Sequence, residues 1–474
     1  MARTQIQGII WSAVERFSAQ GVQFILSIII ARLVSPSDYG LIAMLTIFLS
    51  IAQSLVDSGF SNALIQKIDR TETDFSTVFY FNIIASIFIY CIFFLISPFI
   101  ASFYNQPQLT LISRIVGLNF IISSLCIIQK TLLTINLNFK LQAKITLTSV
   151  IVGGLLGIYL AYNQYGVWAL VFQTLLSNSI STLLFWLYIK WKPQFIFSFA
   201  SFKVLFSFGS KILLTGLLAT IYNNLYSLVI GKIFNAQSLG YYNRMNTIAS
   251  FPSSNITNII ARAVYPIQCQ IQNDNNILKN KFYQLLKLSS YLIFPLMLGL
   301  AALAEPLIQV LLSDKWIEAS SILKLLCFAL MWNHIMFLNW QLLAVKGRSD
   351  LSLKSEVIKK IISIIILIIS IPFGLKAMCI GLILYSFIDI TIIIYFLRPL
   401  IGITYKEELG LLIPSLMLSI SMYLIVSLTI QFFESNLIKL IIGFIIGVLS
   451  YIFISYITNT KELTVILNKA HNGK

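Results

Sequence analysis

The chain has 474 residues, of which 58% are hydrophobic and only 11% charged. A soluble domain carries roughly 25% charged residues, so this chain cannot build a water-facing surface, and lipid must cover most of it. The net charge of +16 admits a nucleic acid, an anionic membrane face or an anionic substrate, but the basic residues sit in short loops between apolar runs, which argues against a nucleic-acid partner.

A transmembrane helix needs about 20 mainly apolar residues. The first such run, 9–33, is interrupted by Glu15, Arg16, Gln20 and Gln23. That pattern fits a retained helix with one face toward protein or water, not a cleaved signal peptide. Runs follow at 40–61, 76–103, 109–130, 145–162 and 166–189. The loop 190–203 is basic, contains Pro193 and is rich in aromatics, as expected of an interfacial linker. Beyond it lie runs at 205–232, 238–265, 284–312, 320–344, 357–373, 375–397, 409–431 and 436–457. The expectation is an all-α polytopic membrane protein with about fourteen transmembrane helices, in two pseudo-symmetric lobes around a central cavity. The expected organisation is an N-lobe at 1–189 with helices one to six, the linker at 190–203, and a C-lobe at 204–400 with helices seven to twelve. Two additional helices at 401–460 and a cytoplasmic tail at 461–474 complete it.

Loop charge sets the expected orientation. With both termini in the cytoplasm, the cytoplasmic segments hold most of the 33 Lys and Arg, as the positive-inside bias requires. The opposite loops are short and turn-rich, such as Ser35-Pro36-Ser37-Asp38 and Asn105-Gln106-Pro107. They leave no room for an extracellular catalytic domain.

No catalytic constellation is apparent. There is no phosphate-binding Gly-x-x-x-x-Gly-Lys-Ser/Thr loop, no Asp-x-Asp and no His-Glu-x-x-His. Neither an enzyme nor a cofactor or metal is therefore expected. The five cysteines form no Cys-x-x-Cys pair and read as small apolar residues. Gly153-Gly154-x-x-Gly157 reads as close helix packing.

Ionisable residues inside apolar runs are costly in hydrocarbon and usually face a cavity or a partner. Arg16 is placed to bind an anionic substrate with Glu15 titrating or pairing beside it, unless both snorkel to the surface. Lys211 opens the seventh run as the counterpart of Arg16. Arg244 follows Tyr241-Tyr242-Asn243, a setting suited to a sugar or diphosphate and equally to an interfacial belt. Arg114 and Arg262 lie near span ends. These cations, Arg16, Lys211, Arg244, Arg114 and Arg262, are the candidate substrate-binding set. The candidates for ion coupling are Glu15, Asp57, His334 and Asp389. Asp57 could equally cap a turn. His334 could relay protons or bond a neighbouring helix, and Asp389 could pair with another helix or bind a cation.

The segment Ala31-Arg32-Leu33-Val34-Ser35-Pro36-Ser37-Asp38-Tyr39-Gly40 resembles the "ARLLSPxDYG" signature of bacterial polysaccharide exporters, the Wzx-type lipid-linked oligosaccharide flippases of the MOP superfamily. Asp57-Ser58-Gly59-Phe60-Ser61-Asn62-Ala63-Leu64-Ile65-Gln66-Lys67 matches the stretch that follows in that family. So do Val264-Tyr265-Pro266, Ser313-Asp314-Lys315-Trp316 and Lys346-Gly347-Arg348-Ser349-Asp350. The likeness runs from about residue 5 to 400, nearest the colanic-acid-exporter branch. It implies a fourteen-helix, two-lobed protein of the bacterial inner membrane that flips polyprenyl-diphosphate-linked sugar repeat units, by alternating access coupled to an ion gradient. The implied partners are that lipid-linked oligosaccharide, membrane lipid, and a polysaccharide polymerase with its chain-length regulator. In related flippases, cavity arginines meet the diphosphate, and Arg16 and Arg244 are the counterparts by location. Two rivals make different demands. A MATE-like cation or drug antiporter would favour carboxylates in the cavity, and a membrane glycosyltransferase or polymerase would carry a large periplasmic loop.

Overall fold

Backbone amides inside lipid have no water to bond, so a chain that crosses a bilayer closes its hydrogen bonds within each segment as helix. The computed structural model describes residues 20–460 and 462–464, and no strand occurs among them. Glu15 and Arg16, two of the expected site residues, lie outside the described residues.

In chain order the first helices are α1 (Gln20–Leu33), α2 (Pro36–Asp57), α3 (Phe60–Gln66), α4 (Glu72–Tyr104), α5 (Leu109–Ser124) and α6 (Ile127–Ile135). Next come α7 (Phe139–Tyr162), α8 (Val167–Tyr188), α9 (Phe199–Asn223), α10 (Leu225–Ile233) and α11 (Ala236–Gln270). The remainder holds α12 (Asn275–Ala302), α13 (Ala304–Leu311), α14 (Ser320–Leu330), α15 (Asn333–Val345), α16 (Ser349–Ser370), α17 (Leu375–Ile401), α18 (Tyr405–Thr429) and α19 (Asn436–Ile457).

Among the described residues, ten helical stretches are long and apolar enough to cross a membrane, and the pair α5–α6, bent by 45°, makes an eleventh. Physical causes separate this count from the fourteen expected. α1 is described only from Gln20 onward. α11 is rich in Ser, Asn and Thr, and α16 carries Lys354, Glu356, Lys359 and Lys360.

Short-range signals start the helices. Ser35 caps α2 by accepting from the Asp38 amide at 3.2 Å, and Pro36 takes the first helical position, where no amide donor is needed. Thr71 with Asp74 and Thr404 with Glu407 form capping boxes at α4 and α18. α2 ends where Ser58 and Gly59 both turn left-handed, at φ 44° and 71°, and α3 resumes at Phe60.

The chain divides into two compact units, Met1–Gly240 and Tyr241–Lys474. In the first, α4 lies along α5 and α7 along α8, and α2 touches α4, α5, α9 and α10. Gly153 of α7 lies against Ser177 of α8, the close packing expected there. Phe60, Leu64, Phe75, Phe79, Ile128 and Leu205 form a buried core under the α2–α3 break. α9 belongs to this unit because Phe202 and Phe206 pack on Phe60, and because Gly209 meets the break backbone to backbone. A Cβ on Gly59 would stand 2.4 Å from the Gly209 carbonyl oxygen. The divide by packing falls at Gly240–Tyr241, inside α11. In the second unit α12 runs along α18, α14 to α16 pack on α17, and α19 on α18.

An internal repeat is visible at 31–40 and 231–240. Ala31-Arg32-Leu33-Val34-Ser35 corresponds, position for position, to Gly231-Lys232-Ile233-Phe234-Asn235, and Gly40 to Gly240. The caps correspond as well: Asn235 Oδ1 accepts from the Ser238 amide at 2.7 Å. The two copies also meet. A Cβ on Gly40 would stand 1.7 Å from the Ala236 carbonyl oxygen, and one on Gly240 would stand 1.9 Å from that of Pro36. Only glycine permits this reciprocal approach.

Candidate functional site

α11 is rich in Ser, Asn and Thr. Met245, Ala249, Ser253, Thr257 and Ala261 recur every four residues and are buried. Ser250, Ser254, Asn258 and Arg262 recur at the same spacing, and they grade from half-buried to exposed. Residues four apart share a helix face. A polar row of this kind is costly against lipid, which makes it a surface for water or a polar ligand.

The row ends at a cavity of about 320 Å³ in the second unit, lined by Asn258, Ala261, Arg262, Tyr265, Pro266, Phe337 and Gln341. Pro266 has no amide hydrogen, so the carbonyl of Arg262, four residues earlier, loses its helical donor there. Gln341 of α15 is fixed to α11 through its Nε2, which donates to Gln268 Oε1 at 3.1 Å. The cavity thus offers a guanidinium, an amide, a phenol and an aromatic wall. Those groups suit a phosphate and a sugar.

The other expected cations sit differently. Lys211 is exposed near the middle of α9, in line with Ser207 and Thr215, while Gly209 packs on Ser58-Gly59. Arg244 is 5% exposed, on α11 beside the buried Tyr241, Tyr242 and Met245. Arg114 is engaged within the first unit: its Nε donates to Ser97 Oγ at 3.0 Å, and its guanidinium lies 4.1 Å from the Phe94 ring centre.

Asp57, Asp389 and His334 each have a partner. Asp57 Oδ1 accepts from Gln53 Nε2 at 3.1 Å, beside the α2–α3 break. His334 is fully buried, 2.8 Å from Ser290 Oγ, with its ring against Phe294. Asp389 pairs with Lys359 of α16 at 3.3 Å and accepts from Tyr385 at 3.1 Å. Lys359 also pairs with Glu356, one turn earlier. Asp57, Arg114 and Lys211 belong to the first unit, and Arg244, Arg262, His334 and Asp389 to the second.

Sequence reasoning missed three features here. Lys359 counts as a loop charge in a topology scan, although the run 357–373 already includes it. Glu408 is hidden next to its capping-box neighbour Glu407. The α11 row carries a single charge, so a search for charges passes over it, although its four-residue spacing is readable.

A model of the polysaccharide biosynthesis protein family matches residues 29–321, more than half of the chain. The chain belongs to that family. Among its relatives, the teichuronic acid biosynthesis protein TuaB of Bacillus subtilis (strain 168) is 30% identical over 304 residues. That alignment covers 64% of this chain and 63% of the relative, so the chain matches less than two thirds of TuaB's length. The lipopolysaccharide biosynthesis protein WzxC of Escherichia coli (strain K12) is 26% identical over 407 residues, 85% of this chain and 82% of the relative. Among solved structures, the lipid II flippase MurJ in its inward closed conformation superposes with a TM-score of 0.76 at 15% identity, over 95% of this chain and 98% of that one. An inward-facing MATE family multidrug transporter of the MOP superfamily gives 0.59 at 14% identity, over 80% of this chain and 95% of that one. The family is the one that the motifs resemble. The fold is the all-helical one of these two solved structures.

Proposed function

We propose that this polysaccharide biosynthesis protein is a flippase for polyprenyl-diphosphate-linked oligosaccharide repeat units, acting by ion-coupled alternating access in the bacterial inner membrane with both termini cytoplasmic. A diphosphate and its sugars cannot cross about 30 Å of hydrocarbon unaided. The observation that carries the reading is the polar row of α11, which ends at Arg262 in the 320 Å³ cavity. A guanidinium offsets the desolvation of phosphate and can hold two of its oxygens. Asn258, Tyr265 and Gln341 supply hydrogen bonds and a stacking face for sugar. Lys211 and Arg244 are further cations of the path. The polyprenyl tail stays in lipid throughout. A polymerase and a chain-length regulator would consume the delivered units.

A MATE-like cation antiporter would need a carboxylate on the cavity wall, and the ionisable side chains on this wall are Arg262 and Tyr265.

The test is complementation of a strain lacking this gene. Arg262→Ala is expected to abolish surface polysaccharide at normal membrane protein level, and Arg262→Lys to restore part of it. Normal polymer from Arg262→Ala would sink the reading.

A further inference from the structure

Glu408 follows the Thr404–Glu407 capping box of α18 and is 1% exposed. Its neighbour Glu407 turns outward to Lys279 and Tyr283 of α12. Glu408 turns inward, where its Oε1 accepts from Asn339 Nδ2 of α15 at 2.6 Å. No Lys or Arg pairs with it, and its Oε2 has no hydrogen-bond partner, among the described residues.

A narrow void of about 10 Å³ lies against this side chain, walled by Trp332, Phe387, Ile390, Ile394, Tyr405 and Leu412. That is about the room one water needs. Trp332 is 3% exposed, and its Nε1 likewise has no partner among the described residues. Trp332 and Glu408, each with a buried polar atom that has no partner among the described residues, are therefore both among the residues around one void.

A carboxylate buried without a cation is costly, and one amide offsets that cost only in part. A proton on Oε2 removes the charge and turns the oxygen into a donor. We propose that Glu408 is a proton-binding site, with Asn339 as the positioning residue that holds its carbonyl oxygen.

The surrounding ionisable groups leave that place to a proton. From α12, Lys279 and Tyr283 are engaged with Glu407. From α15, His334 is held by Ser290. From α17, Asp389 is paired with Lys359. On α18, Tyr405 lines the void without bringing charge. From α19, Tyr451 donates to the Tyr291 carbonyl. The proposal rests on the flippase reading only for what the proton does, namely couple transport to the proton gradient.

Infrared absorption of the purified full chain in lipid, at neutral pH, tests the site. Exposed carboxyls are ionised there, so the carbonyl stretch of a protonated carboxyl isolates buried ones. Wild type minus Glu408→Gln is expected to show that band, lost in the variant. In Asn339→Leu the band is expected to persist and to move to higher wavenumber, because its carbonyl oxygen has lost a donor. That second variant carries the test where Glu408→Gln fails to fold. A wild-type spectrum without the band, a band that survives Glu408→Gln, or one unmoved in Asn339→Leu overturns the proposal. No saccharide enters the measurement, so failure of the flippase reading would appear in the Arg262 strains and not here.

Discussion

Lys359 and Asp389 face each other across α16 and α17, with side chains 5% and 6% exposed. Removing one partner of a buried pair leaves a charge without an offset, at a cost of about 3–5 kcal/mol. Lys359→Met is therefore expected to lower the thermal unfolding midpoint in detergent clearly, and Lys359→Met with Asp389→Leu to recover most of it. Arg348 and Asp350 give the contrast. The Arg348 guanidinium holds the Asp350 carboxyl down at about 2, but the two side chains are 43% and 51% exposed. With a lowered folded value, any contribution is present above the ordinary carboxylate range and is lost as pH falls toward about 2. Water screens such an exposed pair, so Asp350→Asn is expected to leave the unfolding midpoint at neutral pH unchanged. Asp389 was legible as an intramembrane carboxylate that pairs or binds a cation. Its partner was not legible, because which lysine reaches it depends on how α16 and α17 pack.

At the scale of elements, α9 shows what periodicity carries and what it omits. Its apolar length was readable, but its crossing of the α2–α3 break was not, since nothing local announces a contact with Ser58-Gly59. A Cβ on Gly209 would stand 2.6 Å from the Ser58 carbonyl oxygen, whereas nothing lies within 4 Å of one on Gly216 in the same helix. Gly209→Val is expected to cut the yield of monodisperse protein in size-exclusion chromatography. Gly216→Ala, which removes a helix-interior glycine, is expected to leave that yield equal or higher. The break between α5 and α6 was likewise invisible, because an apolar run reads the same whether its helix is continuous or bent, whereas the turn at Ser58-Gly59 was one of the two readings of Asp57. The capped starts at Ser35, Thr71 and Thr404 follow sequence rules, since caps are local chemistry.

For the whole molecule, composition alone led to an all-helical membrane fold, because too few charges remain to face water. The family was legible in its motifs, and the structure supplies a reason for one of them. In Ser35-Pro36-Ser37-Asp38-Tyr39-Gly40 the serine caps, the proline starts the helix and the glycine admits the second copy of the motif. The repeat itself was sought in charge, Glu15/Arg16 against Lys211, when it is plainest in backbone-proximal residues at 31–40 and 231–240. The correspondence combines a shared cation, Arg32 and Lys232, a shared cap, Ser35 and Asn235, and the glycines that permit the close approach. On the proposed topology the contact of Gly40 with Gly240 lies at the periplasmic end. There two main chains approach directly, Gly40 against Ala236 and Gly240 against Pro36. One methyl group is then a wedge. Gly40→Ala is expected to hold this side ajar without unfolding the chain, shifting its population toward the outward-open form. A cysteine placed at Ser37 should then react faster with a membrane-impermeant maleimide added from the periplasmic side, and an unchanged rate would show that this seam does not part during the cycle.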